Sequence, residues 1–170
     1  MKLGECYLEM KRYDEARRNL EEALALRRDL ANAHYDLALV AEARGDAREA
    51  AAQYQGELAR DAKAYRASFN LAKLLLQSGR RDEALGRLRE AVASSPEFGT
   101  GHLYLAKALL DAGDLAGAEA AARRGLGASP DEAVAPLGHY VLADVYARRG
   151  RSRESAREVA TAKKLARGGQ

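Results

Sequence analysis

The sequence predicts an all-α chain made of about five helix pairs in succession. Residues 99–130 resemble the other stretches of the chain when the sequence is compared with itself in steps of 34 residues, with one slip of three. Apolar side chains recur at helical spacing within each stretch. Alanine, leucine, arginine and glutamate dominate the composition, whereas proline occurs three times and tryptophan never, so helix formers prevail over strand formers.

The first half of each unit has the pattern of an amphipathic helix. When the unit is numbered so that Leu105 is position 7, positions 4, 7, 8 and 11 fall on one side of a helical wheel. Position 7 is leucine in every copy and position 8 is small. The residues at position 8 are Gly4, Ala38, Ala72, Ala106 and Ala143. This side of the helix is predicted to pack against the second half of the same unit.

A glycine divides most of the units in two. Position 15 holds Gly45, Gly79, Gly113 and Gly150, with Lys11 in the first copy. Glycine readily adopts the left-handed conformation that ends a helix. The pattern therefore predicts a tight turn between two antiparallel helices at this position.

The second half of each unit is a helix with its own small position. Position 20 holds Ala16, Ala50, Ala84, Ala118 and Ser155. In the first and third copies positions 24, 27 and 28 are apolar as well, which predicts that this face is buried against the first helix. Pro96 and Pro130 stand at position 32, where proline ends one helix and leads into the next. Arg28 and Ala62 occupy that position in the first two copies.

This spacing of Leu-Gly/Ala, Gly, Ala and Pro in a unit of 34 residues resembles the tetratricopeptide repeat (TPR). The resemblance covers almost the whole chain and implies one right-handed superhelical solenoid over residues 1–170. Its repeats are placed at about 1–30, 31–64, 65–98, 99–132 and 136–167, the first truncated and the fifth preceded by a three-residue insertion near 131–135.

Three residues depart from the family pattern and put local packing, rather than the fold, in question. Glu57 replaces a small residue at position 27, Ala122 replaces a large one at position 24, and Lys163 stands at position 28. Neither end of the sequence carries a separate polar cap, which a solenoid needs. We therefore expect either a longer chain or self-association through an end.

Charge and hydropathy favour a soluble, cytoplasmic protein. The longest apolar runs are too short to span a bilayer, and the first residues lack the apolar core of a secretory signal. Residues 146–170 carry eight Lys/Arg against two Asp/Glu, a local charge of +6. Because this tail lacks interleaved aromatic residues, we expect a solvated face and no nucleic-acid partner. Cys6, the single cysteine, is predicted to be a small core residue rather than a reactive thiol.

The candidate catalytic residues are better explained by the repeat. His34, His102 and His139 all occupy position 4, and equivalent positions in stacked repeats are separated by about 10 Å per helix layer. A zinc site needs its nitrogens about 2 Å from one ion, so the histidines are predicted to pack and not to bind metal. Gly99 and Gly101 have no preceding strand and no GK[ST], which favours a repeat junction over a phosphate loop. We therefore expect no catalytic set, no metal, no cofactor and no enzyme activity.

The family resemblance places a peptide-binding groove on the face of the first helices opposite the core. On that face we predict contacts from Tyr35, Arg66, Phe69, Asn70, Lys73, Leu103, Tyr104, Lys107 and Tyr140. For Phe69 and Leu103, packing against a neighbouring helix is an equal alternative. The clamp that some TPR proteins use for a carboxyl terminus is not implied, because only Asn70 matches its pattern.

These predictions describe a non-catalytic scaffold that binds a peptide segment or a partner subunit. Two alternatives stay open at this point. The chain can be a regulatory or targeting region of a larger enzyme, or an assembly element that associates through uncapped ends.

Overall fold

Helix follows helix through the residues that the computed structural model describes, 13–27 and 30–168. The predicted features at Leu3, Gly4, Cys6, Lys11 and Arg28 lie outside these ranges. The described part contains α-helices and turns and no strand. The chain divides into two compact units, Met1–Gly79 and Arg80–Gln170, called unit 1 and unit 2 below.

Unit 1 contains four described helices: α1 (Tyr13–Leu26), α2 (Ala33–Ala43), α3 (Ala47–Arg60) and α4 (Tyr65–Gln77). Unit 2 contains five: α5 (Arg81–Ser94), α6 (Gly99–Asp111), α7 (Leu115–Gly127), α8 (Ala135–Arg148) and α9 (Ser152–Gly168). The helices alternate as the repeat predicts, α2, α4, α6 and α8 being the first helices of repeats two to five. The prolines at position 32 follow the ends of α5 and α7.

The predicted glycine turns are present. The four glycines at position 15 have φ between 73° and 85°, the left-handed region. In the turn after α6, for example, Gly113 N–H donates to the carbonyl of Leu110, and Asp114 N–H to that of Leu109 at 2.9 Å. The Asp114 carboxylate then accepts the Gly117 N–H at 2.8 Å and caps α7. One dipeptide thus ends the first helix and begins the second.

The core of unit 1 consists of the small and large positions that the repeat predicts. Ala16 and Leu20 of α1 pack with Leu37 and Val40 of α2. The Tyr54 ring is fully buried, and its hydroxyl donates to Glu42 Oε2 at 2.6 Å. Burial first, and then this bond to a carboxylate, raises the pKa of Tyr54 far above its ordinary value.

The core of unit 2 is centred on α6. Leu103 is fully buried, and a Cβ built on Gly125 of α7 would lie 2.5 Å from its Cδ2. A Cβ on Gly138 of α8 would lie 2.8 Å from the same atom. Both distances are too short for real side chains, so the two glycines provide the space that Leu103 fills.

The insertion before α8 forms a turn that is tied to α6. Thr100 Oγ1 donates to Asp131 Oδ2 at 2.9 Å, and Asp131 N–H donates to Thr100 Oγ1 at 3.3 Å. The carbonyl of Asp131 accepts from Val134 N–H and Ala135 N–H, and α8 begins there. At the departures from the family pattern, Ala122 is fully buried and Lys163 is exposed.

Candidate functional site

A cavity of about 390 Å³ opens in unit 1 beside the first helices of repeats two and three. It is lined by Asn32, Tyr35, Glu57, Asp61, Lys63, Ala64, Tyr65, Arg66 and Ala67. We call it the unit 1 cavity. It lies at the small end of the range for ligand pockets, and it contains both predicted groove residues and residues that the sequence pattern did not select.

Two residues of the predicted surface, Tyr35 and Asn70, are joined by a hydrogen bond. Asn70 Nδ2 donates to the Tyr35 hydroxyl at 3.2 Å and thereby links α2 to α4. The centres of the Tyr35 and Tyr54 rings are 5.7 Å apart, and the two ring planes are inclined at 54° to each other. Burial raises the pKa of Tyr35. Asn70 is buried, so it positions Tyr35 rather than offering a free amide at the surface.

The remaining predicted residues of unit 1 present two cations. Lys73 Nζ lies 5.8 Å from the centre of the Phe69 ring, and Phe69 itself is buried. The Arg66 guanidinium is 5.8 Å from the Tyr65 ring centre, and its Nε donates to the Tyr65 hydroxyl at 3.2 Å. The Lys73 ammonium group therefore lies against the buried Phe69 ring, and Arg66 is held at the wall of the unit 1 cavity.

The predicted residues of unit 2 differ in their exposure. Tyr140 is exposed and Tyr104 is half-buried. Lys107 is exposed and forms an ion pair with Asp111. Leu103 is fully buried between glycines, which favours the packing alternative given for it over contact with a peptide. We therefore leave Leu103 out of the proposed site.

Glu57 also lines the cavity, although the sequence pattern identified it only as a departure from the family pattern that affects local packing. Its side chain is buried, and Oε1 accepts from Arg60 Nη2 at 2.7 Å. Oε2 is buried and has no hydrogen-bond partner among the described residues. Asn32, also in the wall, has a left-handed backbone with φ 60°. The available signal in the sequence was the replacement of a small residue at position 27 by a carboxylic acid.

The three histidines each have a separate partner. His34 Nδ1 lies 2.8 Å from Gln53 Oε1, and His139 Nδ1 lies 2.7 Å from Glu158 Oε2. Each partner occupies position 23 of the repeat to which its histidine belongs. In the fourth repeat position 23 is Ala121, and His102 Nε2 instead lies 2.9 Å from the Pro96 carbonyl oxygen. His34 and His139 therefore connect the two helices of their own repeats, whereas His102 bonds to a carbonyl at the end of the preceding repeat. The described residues contain no cluster of His, Cys, Asp or Glu suited to a metal ion.

Part of the basic C-terminal segment is paired within unit 2. Arg151 forms an ion pair with Glu154, and Arg149 with Glu119. Burial acts to raise the pKa of Glu119, but the Arg149 hydrogen bond and the charges of Arg123 and Arg149 outweigh it and lower that pKa. None of the described helices has the length and apolarity required to cross a membrane.

The sequence matches family models along most of its length. A model described as tetratricopeptide repeat matches residues 35–84 and 69–133, and a second with the same description matches residues 136–161. A model described as TPR repeat matches residues 4–45. The chain therefore belongs to the tetratricopeptide repeat family. No curated protein sequence matches it.

Several solved structures share this fold. A crystal structure of MamA has a TM-score of 0.82 and 14% identity, covering 99% of this chain and 97% of that one. PilF of Pseudomonas aeruginosa has a TM-score of 0.78 and 24% identity, covering 99% and 73%. YrrB, described as a TPR protein with an unusual peptide-binding site, has a TM-score of 0.77 and 17% identity, covering 95% and 82%. The chain is thus an all-α repeat solenoid, a fold that supports a protein–protein interaction scaffold in general.

Proposed function

We propose that this chain is a non-catalytic scaffold whose repeats act as one solenoid and bind a peptide segment on the exposed faces of the first helices. The unit 1 cavity carries the proposal. Two of the predicted groove residues, Tyr35 and Arg66, line this cavity with half-buried and exposed side chains. A third, the half-buried Lys73, follows on the same helix and lies over the Phe69 ring. The likeness to YrrB supports the same class of ligand, a peptide.

The arrangement suits an extended peptide because it combines an aromatic wall with fixed donors. Tyr35 is held by Asn70 and by the Tyr54 ring, so little side-chain freedom is lost when a ligand contacts it. Lys73, which lies over Phe69, presents a positive charge close to an apolar surface. A peptide can thus gain apolar contact and charge recognition on one face.

Selection from a random twelve-residue peptide library displayed on phage tests the proposal without knowledge of the natural partner. We expect binders whose affinity falls at least about tenfold in Lys73→Glu, which corresponds to about 1.4 kcal/mol. The variant should lose only about 0.5–1 kcal/mol of folding stability, since it removes a single contact between a half-buried cation and an aromatic ring.

Arg48→Glu provides the matched control for this experiment. Arg48 is an exposed cation of α3 in the same unit, and it lines neither the unit 1 cavity nor the predicted surface. Its reversal changes the net charge equally, so peptide affinity should stay within about twofold of wild type. Equal losses in both variants would indicate a general charge effect, and a library without binders would refute the proposal.

A further inference from the structure

Glu57 differs from its equivalents in the other repeats. Position 27 is Ala23, Ala91, Gly125 and Ala162 in the other copies. Only the second repeat has a carboxylic acid there, and it is 1% exposed. Since repeat geometry requires no polar group at this position, the residue calls for another explanation.

The carboxylate of Glu57 is only half satisfied. Arg60 Nη2 donates to Oε1 at 2.7 Å, whereas Oε2 is the one buried side-chain oxygen or nitrogen without a partner in residues 13–27 and 30–168. A buried acceptor without a donor costs free energy, and most buried polar groups in native proteins have a partner.

Two further features occur at the same place. Glu57 lines the unit 1 cavity, whose volume far exceeds the roughly 30 Å³ that one water occupies in the liquid. Asn32, on the same wall, has a positive φ, a conformation that asparagine adopts more readily than most residues other than glycine. A buried acceptor that lacks a donor and lies beside a cavity of this size is typical of a binding site.

The chemistry of the wall selects the class of ligand. An ionised carboxylate only accepts hydrogen bonds, so the missing partner of Oε2 has to be a donor. Asp61 adds a second carboxylate to the wall, and Tyr35 adds an aromatic surface suited to a cation. Lys63 and Arg66 also line the cavity, but the Arg66 guanidinium already bonds and faces Tyr65. An entering anion would leave Oε2 without a donor.

We propose that the unit 1 cavity binds the cationic side chain of an arginine or lysine in a partner segment, and that Glu57 accepts its hydrogen bond. This inference rests on the proposed function, because it takes the ligand to be part of a bound peptide. It adds to the proposed function the type of partner residue that the cavity binds. It requires Oε2 to turn toward the cavity when the side chain enters.

The test uses N-acetyl-arginine amide as the probe and N-acetyl-citrulline amide as its uncharged isostere. Each is titrated into the ¹⁵N-labelled chain while the amide resonances of residues 57–67 are followed. We expect saturable shifts with the arginine compound, at least about tenfold weaker binding of the citrulline compound, and loss of the shifts in Glu57→Ala. Because Glu57→Ala introduces the residue that three of the other four copies have at this position, its melting temperature should equal or exceed that of wild type.

Glu57→Gln serves as a second variant because it keeps the shape of the side chain and removes its charge. It should weaken binding of the arginine compound at least about tenfold. Equal binding of the two compounds, shifts that persist in Glu57→Ala, or no saturable shift would overturn the inference. Preference for N-acetyl-glutamate amide would also overturn it.

Selected phage peptides separate this inference from the proposed function. If peptides bind the chain but their affinity is the same in wild type and Glu57→Ala, peptide binding stands and the role of Glu57 fails. Enrichment of arginine or lysine in the selected peptides, lost when Glu57→Ala is used as the bait, would support both.

Discussion

Replacing Leu103 with alanine tests whether α6, α7 and α8 pack as described. The change removes three carbon groups from a fully buried side chain, about 2.4 kcal/mol at about 0.8 kcal/mol per buried group. A cavity then remains where Leu103 contacted Gly125 and Gly138. Glycines have no side chain that can move into the space, so we expect a total loss of about 4 kcal/mol, in the upper part of the range for leucine to alanine.

Urea unfolding followed by circular dichroism at 222 nm measures this loss. For a chain of this size, about 4 kcal/mol corresponds to a fall of roughly 8–16 °C in melting temperature. A variant with wild-type stability would refute the packing and return Leu103 to the predicted binding surface. A loss of peptide affinity with unchanged stability would also refute the packing of Leu103.

A double-mutant cycle with Gly138→Ala tests the contact itself. In wild type the new Cβ would lie 2.8 Å from Leu103 Cδ2 and 2.9 Å from Leu126 Cδ2, so overpacking should cost about 1–3 kcal/mol. In Leu103→Ala part of the space is free, and the same substitution should cost less or even stabilise. Additive effects would show that the two residues are not in contact.

Three further substitutions probe other features. Gly86→Ala should stabilise by about 0.5–1 kcal/mol in urea unfolding, because a Cβ at this helical site meets nothing within 4 Å; destabilisation would contradict that packing. Tyr54→Phe should cost about 1–3 kcal/mol in the same assay, since it removes the buried donor to Glu42, and a neutral result would count against this bond. Arginines lower the pKa of Glu119, so its contribution is present above the unfolded pKa, about 4.3, and is lost as pH falls through the lower folded pKa. Unfolding measured from pH 6 to pH 2.5 should show a smaller loss in Glu119→Gln, and parallel curves would be inconsistent with the Arg149 pairing.

The fold could be predicted from the sequence because its strongest signals are local. A glycine at position 15 is needed where the backbone becomes left-handed, and Gly45 and Gly113 have this conformation. Small residues at positions 8 and 20 are needed where two helices approach closely, and Ala106 and Ala118 are fully buried. Neither requirement depends on distant parts of the chain, so a single sequence is sufficient to recognise both.

The binding surface was harder to predict because exposure depends on neighbouring repeats. Leu103 and Tyr140 share position 5, yet the first is 0% and the second 42% exposed. The difference arises because Gly125 and Gly138 leave room for the Leu103 side chain. A helical wheel assigns both residues to the same face, since it contains no information about the side chains on adjacent helices.

Comparison between repeats nevertheless separates residues that serve the fold from residues that do not. At position 4, His34 and His139 bond to Gln53 and Glu158 at position 23 of their own repeats. His102, whose repeat has alanine at position 23, bonds to the backbone carbonyl of Pro96 in the preceding repeat, so each histidine has a hydrogen-bond partner. Glu57 fails the same criterion, because Arg60 satisfies one oxygen and leaves the other buried without a donor. A repeat protein thus provides internal controls for each position, and Glu57, which is alanine or glycine in the other copies, is for this reason the residue to which the proposed ligand is assigned.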